Sequence, residues 1–386
     1  MSGYLKSKPR YEILDGLRGV ATVIVVLFHL WESYSKGPQY AVINHGYLAV
    51  DFFFMLSGFV VGYAYDDRWG RMSLSDFFKR RLVRLHPMLI FGTLFGGLLF
   101  YLGAQDGFPL IGETPWWKMA LLTLLGCTAI PALKAWDIRG WEEMNSLNGA
   151  TWSLFWEYVA NILYALIFRF LPKCALAVLV AASAVLTLDL CFDWDMFGIL
   201  GDRGGASNTV IGGWAVDLTQ CYIGLSRLLF PFLCGLLISR VGKFVRVRGG
   251  FWWCSLALVA VLCLPYVPGG EKGVWTCVDG IYGAVCILLV FPLVVSVGAG
   301  SNVTGKRSVA VCKFLGNISY PLYVTHYPLI YVQMAWISRN TEAPTGVHVV
   351  MNIGFFVLMI AVAYASMKLY DIPVREWLRQ HVLMKK

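Results

Sequence analysis

Apolar runs long enough to cross a bilayer recur along almost the whole chain, and they restrict the fold more than any other feature. Ten are expected, near residues 13–34, 47–66, 85–103, 151–171, 174–192, 218–239, 250–267, 274–298, 314–337 and 347–369. A hydrocarbon core about 30 Å thick takes roughly 20 residues at about 1.5 Å rise, so each run can span it as a helix. Backbone groups find no water inside a bilayer, and helices satisfy them internally. The chain therefore reads as an all-α integral membrane protein of about ten transmembrane helices.

Residues 104–150 need a separate decision. The run 119–133 (MALLTLLGCTAIPAL) is apolar but short, and Pro131 falls near its end. If it crossed, every later segment would invert. Arg169 with Lys173, then Arg240, Lys243, Arg246 and Arg248, then Lys306, Arg307 and Lys313 would all lie outside. Lys and Arg favour cytoplasmic loops, so the segment is expected to be a re-entrant or cap segment on the extracytoplasmic side. It would sit within one transmembrane domain spanning 1–386, with both termini cytoplasmic and a basic interfacial tail over about 370–386.

Composition agrees. Of 386 residues, 58% are hydrophobic and 14% charged, which excludes a soluble globule. The 15 Trp, 19 Tyr and 24 Phe suit aromatic belts at both interfaces. A net charge of +9 would suggest nucleic acid in a soluble protein; here positive cytoplasmic connections account for it, and no nucleic-acid partner is expected. The densest of these connections carries Arg68, Arg71, Lys79, Arg80, Arg81 and Arg84. The ten cysteines are scattered without CxxC or Cys/His spacing and read as buried free thiols. A Cys191–Cys221 disulfide stays open, since both fall near one rim, and no metal site is expected. The first apolar run is a full span preceded by Lys6, Lys8 and Arg10, so no cleavable signal peptide is expected. A short outer loop holds Pro38 and His45, the Gly/Asp-rich stretch 193–217 reads as a mobile flap, and no internal repeat is visible.

The first run, YEILDGLRGVATVIVVLFHLW (11–31), carries Arg18 and His29. Eleven helical steps separate them by roughly 16 Å and about three turns, so both point the same way. A charge inside a membrane costs about 2.5–3.5 kcal/mol and usually faces a cavity or a partner. The two side chains can therefore wall a polar pathway; a snorkelling Arg and a satisfied core His are the bland alternative.

Depth arithmetic over the other runs favours the pathway. His29, Asp51, Glu157, Arg227 and His326 come from five runs, yet fall within a slab about 10 Å thick. Asp51 and Glu157 can balance Arg227 and hydrogen-bond the imidazoles. Beneath them, Arg18, Arg80, Arg81 and Arg84 form a cationic funnel toward the cytoplasm, with Arg80 and Arg84 one turn apart as phosphate oxygens require. The pattern is a chamber entered by a phosphate-bearing molecule from below and a hydroxyl-rich one from above. A His beside a carboxylate can take a proton from an alcohol. No P-loop, HExxH, GxSxG or Asp-rich metal motif accompanies it.

The segments LDGLRGVATVIVVLFH, GYLAVDFFFMLSGFV, RRLVRLHP, TWSLFWEY, RLLFPFLCG, LGNISYPLYVTH and YDIPVREWL, in this order over residues 11–378, resemble the membrane-bound acyltransferase-3 family of bacterial O-acetyltransferases. The resemblance implies a ten-helix fold in the bacterial inner membrane. It implies transfer of an acyl group, usually acetyl, from cytoplasmic acyl-CoA to a hydroxyl of an extracytoplasmic glycan or lipid-linked sugar. Acyl-CoA would be co-substrate, with no bound cofactor. By motif, Arg18 and His29 would be the essential pair of the first helix. Asp51, Ser57 and Gly58 belong to the second-helix motif, Arg80, Arg81 and Arg84 to the basic one, and Glu157 and His326 close two more. Phe155 and Trp156 stand where smaller residues are commoner, and Asp371 where Glu is. No hydrolase-like domain is expected after the last span, so onward transfer by such a domain would need a separate protein.

His29 is then expected as general base, against a covalent acyl-imidazole relay. Glu157 is expected to orient it, against a structural pairing with Arg227. His326 is expected as a second polar ligand, against a packing hydrogen bond. Arg18 with Arg80, Arg81 and Arg84 would hold the donor, against snorkelling and a pure topology signal. Asp51, Arg227, Ser57 and Tyr323 would line the acceptor side, although Ser57 beside Gly58 also reads as a small packing residue. Trp116, Trp117, Trp136 and Trp141 could stack on a sugar or anchor at the interface. A proton-coupled transporter of a small or saccharide substrate is the competing class; the missing repeat and a cationic mouth facing one side argue against it.

Overall fold

The computed structural model describes residues 8, 10–35, 42–264 and 276–384; Lys6, Pro38 and the terminal Lys385 and Lys386 lie outside them. The described residues contain helices and no strand. In chain order they are α1 (Glu12–Glu32), α2 (Ala49–Tyr65), α3 (Leu74–Leu99), α4 (Pro109–Glu113), α5 (Trp116–Gly126), α6 (Trp152–Leu166) and α7 (Lys173–Phe192). There follow α8 (Leu218–Val241), α9 (Gly250–Cys263), α10 (Cys277–Val285), α11 (Phe291–Gly300), α12 (Lys306–Arg339), α13 (Thr345–Ser366) and α14 (Ile372–Leu378). Helices α10 and α11 run on through a π turn, as do α13 and α14.

Among the described residues, seven helical stretches are long and apolar enough to cross a membrane. Three other expected spans fall short: α6 and α9 have 15 and 14 residues, and α12, with 34, is more polar. The protein is an integral membrane protein, and the number ten is an expectation beyond what the helices themselves show.

Two helix pairs carry the architecture: α1 lies along α12, and α2 along α8. Inside a bilayer helices associate through close packing, and small residues let backbones approach. A methyl on Gly58 would run into the Phe232 carbonyl oxygen, and one on Gly235 into that of Met55, so α2 and α8 touch reciprocally through glycine. Gly16 and Gly19 similarly admit Cys312 and Leu315 of α12 against α1.

Helix α3 begins eleven residues before the expected span. Ser73 Oγ accepts from the Asp76 amide at 3.1 Å, while the Ser73 amide donates to Asp76 Oδ2 at 3.3 Å, a reciprocal cap that starts the helix there. Lys79, Arg80, Arg81 and Arg84 are consequently helical, not loop residues. Helix α12 contains Pro321 and Pro328. Pro328 has no N–H for the carbonyl four residues back, and that oxygen, of Val324, accepts from Asn148 Nδ2 at 2.8 Å instead.

The segment 104–150 has a small core of its own, around Phe100, Phe108, Ile111, Leu122, Ala132, Ile138 and Leu147. Its longest helix, α5, has 11 residues, about 16 Å, roughly half a bilayer core. Asp137 is its hub, accepting from the amides of Arg139, Gly140 and Glu142 and from Ser146 Oγ at 2.8–3.0 Å. Burial alone would raise its pKa, but these donors hold it below the usual carboxylate range.

The stretch 193–217 differs from the mobile flap expected. Arg203 Nη1 donates to Asp193 and to the carbonyls of Leu190 and Thr209, and Nη2 to Ile211, at 2.8–3.1 Å. One buried guanidinium thus pins the loop from inside. All ten cysteines are free, Cys191 and Cys221 included, so no disulfide joins that rim; Cys174 and Cys277 are exposed, not buried.

Candidate active site

Helices α1, α2, α3, α6 and α12 surround a cavity of about 670 Å³. Ten basic and four acidic side chains line it. Arg18, Arg80, Arg81, Arg84, Ser57, Glu157 and Tyr323 are all among the lining residues, whereas the sequence put only the arginines at the donor mouth, with Glu157 beside His29 and Ser57 and Tyr323 on the acceptor side. Lys368, Arg375 and Arg379 join them from the C-terminal helix, which the sequence placed on the membrane surface. The lining positions Lys368, Asp371, Ile372, Arg375, Glu376, Arg379 and Leu383 repeat at helical spacing, so one face of that helix closes the mouth.

The sequence expected one layer of five interacting ionisable groups. The structure sorts them into three separate sets. In the first, Asp51 and Arg227 grip each other through Nη2–Oδ2 at 2.7 Å and Nε–Oδ1 at 3.3 Å. Arg227 also donates to the carbonyls of Tyr47 (2.8 Å) and Gly212 (3.2 Å). Their side chains are 1% and 2% exposed and do not line the cavity, so the pair clamps α2 to α8 and to the 209–213 loop.

The second set is Arg81, Glu157 and Ser57. Glu157 Oε1 accepts from Arg81 Nη2 at 2.7 Å and from Ser57 Oγ at 3.0 Å. Glu157 therefore belongs to the arginine-lined cavity and pairs with neither His29 nor Arg227, the two partners considered for it. The reason lies in α3: starting that helix at Leu74 carries Arg81 inward to 2% exposure, where the carboxylate compensates it. Arg18 reaches Asp15 at 3.1 Å, one turn back along α1.

The third set holds the two histidines. His29 and His326 stack with ring centroids 5.5 Å apart, and Tyr327 meets His29 edge-on at 4.8 Å. The carboxylate beside His29 is Glu32, with Nδ1 and Oε2 2.8 Å apart. Sequence reasoning missed Glu32 because it searched for a partner on another helix, although the i,i+3 spacing was visible. His326 is fully buried, its Nδ1 lying 2.8 Å from the Tyr323 carbonyl and 3.1 Å from that of Leu322. Carbonyl oxygens only accept, so Nδ1 carries the proton. Among the described residues, Nε2 of His326 has no hydrogen-bond partner.

Among the described residues the cavity lining ends at Thr22, Phe53, Ser153 and Tyr323 and does not include His29 or His326. Tyr323 Oη lies 2.7 Å from Ser153 Oγ and donates to the Ala150 carbonyl at 3.2 Å. Its ring is 5.4 Å from Phe53 on one flank and 5.9 Å from His326 on the other. One aromatic layer separates the arginine-rich cavity from the imidazoles. No group of three or more metal-ligating side chains occurs among the described residues.

Residues 11–368 match the family described as Acyltransferase domain. The chain belongs to that family. Among curated proteins, this acyltransferase is 31% identical to Protein 2 in picA locus of Rhizobium radiobacter over 166 residues, 40% of this chain and 81% of the relative. It is 24% identical to the O-acetyltransferase OatA of Staphylococcus aureus over 385 residues, 95% of this chain and 58% of the relative. The chain thus spans little more than half the length of OatA. No solved structure matches it.

Proposed function

We propose that this acyltransferase moves an acetyl group from cytoplasmic acetyl-CoA to a hydroxyl of an extracytoplasmic glycan, with His29 as general base. The observation that carries the donor half is the cavity, 670 Å³ in volume with ten basic and four acidic lining residues. A coenzyme A thioester brings a 3′-phosphate and a diphosphate, which Arg side chains grip as planar forks. Arg80 and Arg84 would take phosphate oxygens at the mouth, and Arg18 the deeper end of the pantetheine arm. The thioester would then reach the Tyr323 layer, with His29 beyond it. The acetyltransferase name of OatA supports the choice of acyl group.

The reaction balances without another reagent. His29 takes the proton of the acceptor hydroxyl as its oxygen attacks the thioester carbonyl. The new C–O bond forms, the C–S bond breaks, and the departing thiolate receives the proton. The positive connections support an orientation with the arginine-lined mouth and both termini in the cytoplasm, and the proposed membrane is the bacterial inner one.

Two variants test this. Arg80→Glu with Arg84→Glu should weaken acetyl-CoA binding to the purified protein more than tenfold by titration calorimetry. His29→Ala should bind acetyl-CoA normally and leave cell-surface glycans unacylated by mass spectrometry. Unchanged donor affinity in the first, or acylated glycans from the second, would overturn the proposal. Saccharide uptake into vesicles without CoA release would favour a carrier instead.

A further inference from the structure

We infer that Glu32 is the positioning residue for His29, and that base and carboxylate are built into the last turn of a single helix. This rests on the proposed role of His29 and assigns what fixes its tautomer. Helix α1 ends at Glu32, three residues after His29, so the two side chains share a face. An ionised carboxylate only accepts, so the 2.8 Å contact puts the imidazole proton on Nδ1. The lone pair of the neutral ring is then on Nε2, the atom that must receive a hydroxyl proton.

The surroundings keep that lone pair available. His326 stacks on His29 at 5.5 Å, and its own proton is committed to the carbonyls of Leu322 and Tyr323. Tyr327 presents its ring to His29 at 4.8 Å and limits how far the imidazole can turn. The two side chains also differ in exposure as base and partner should. That of His29 is 19% exposed and that of Glu32 46%, so the base is the more sheltered of the two and its carboxylate the more solvated.

Helix stability offers no reason for Glu32. A carboxylate in the last turn opposes the helix dipole and costs about 0.3–1 kcal/mol, whereas an imidazolium there is favoured. Glu157, the carboxylate the sequence put forward, is engaged by Arg81 and Ser57 within the cavity. When His29 takes the substrate proton, the new positive charge forms against Glu32. The carboxylate stabilises it without itself being protonated, as in the general His–carboxylate arrangement.

The test uses the full-length protein in nanodiscs, with acetyl-CoA as donor and glycan extracted from the producing cells as acceptor. In wild type, nitrogen-15 spectra of labelled histidine should show His29 protonated at Nδ1. Glu32→Ala should let the proton redistribute to Nε2 and lower kcat about 10- to 100-fold, with the KM for acetyl-CoA unchanged. Glu32→Asp should restore part of the rate. Full kcat in Glu32→Ala, or an unaltered tautomer, overturns the inference. The proposed base itself fails separately, if His29→Ala retains turnover. Acetyl-CoA affinity in each variant reports whether the fold is intact.

Discussion

Glu143 shows how far a buried setting can change one side chain. It sits in the 104–150 segment, accepts from Tyr331 Oη at 2.6 Å, and lies near Arg139, whose guanidinium covers the Tyr331 ring at 3.4 Å. Burial pushes its pKa from 4.5 up to about 7, and the Tyr331 hydrogen bond and Arg139 charge only partly oppose this. A raised carboxyl pKa means that the folded protein holds a proton which the unfolded chain has already lost. Stability therefore falls as pH rises from about 4.5 to about 7, by on the order of 3 kcal/mol in total. Thermal unfolding in detergent should show a melting temperature that drops across this window, and Glu143→Gln should flatten the drop. A Gln variant with the wild-type slope would exclude Glu143 as its source. Legibility at this scale was uneven. Arg18, Arg80, Arg81 and Arg84 share one cavity, and Ser57, Glu157 and Tyr323, read from the chain as belonging with His29 or the acceptor, line that same cavity. Partners were read less well, because depth arithmetic gives height in the membrane and says nothing about azimuth. Asp51 met Arg227 as suggested, while Glu157 and His29 face different neighbours.

At the scale of elements, the α2–α8 contact makes the sharpest claim. Gly58 and Gly235 each stand where a side chain would strike a carbonyl oxygen of the opposite helix. Gly235→Val should cost about 1–3 kcal/mol or more through overpacking, lowering the melting temperature and the monodisperse fraction in size-exclusion chromatography. Gly354→Val, on α13 with open space around it, is the control and should behave as wild type. Equal behaviour of the two variants would mean that the helices are not packed through glycine. The early start of α3 was readable in principle, since Ser73 and Asp76 have capping-box spacing; the basic residues that follow masked it as a loop. The path of the C-terminal helix was not readable. Its cavity-facing stripe at 368, 371, 372, 375, 376 and 379 has the period of any amphipathic helix, and sequence cannot say whether lipid or protein receives it.

For the whole molecule, orientation is the outstanding prediction. In right-side-out vesicles, with the native cysteines replaced, a membrane-impermeant maleimide should modify Gly112→Cys and spare Gly70→Cys until the vesicles are opened. Both positions have open space for the new side chain. The reverse pattern would turn the arginine-lined cavity to the outside and remove the cytoplasmic donor. A membrane that stores energy as an ion gradient cannot tolerate a wet passage from face to face, and a site meeting one reactant from each side invites such a passage. Here the described cavity stops at Tyr323, held by Ser153 and flanked by Phe53. On the proposed transfer, that single layer is what would hold back ions and water, and one ring would have to swing aside for a two-carbon acyl unit to pass.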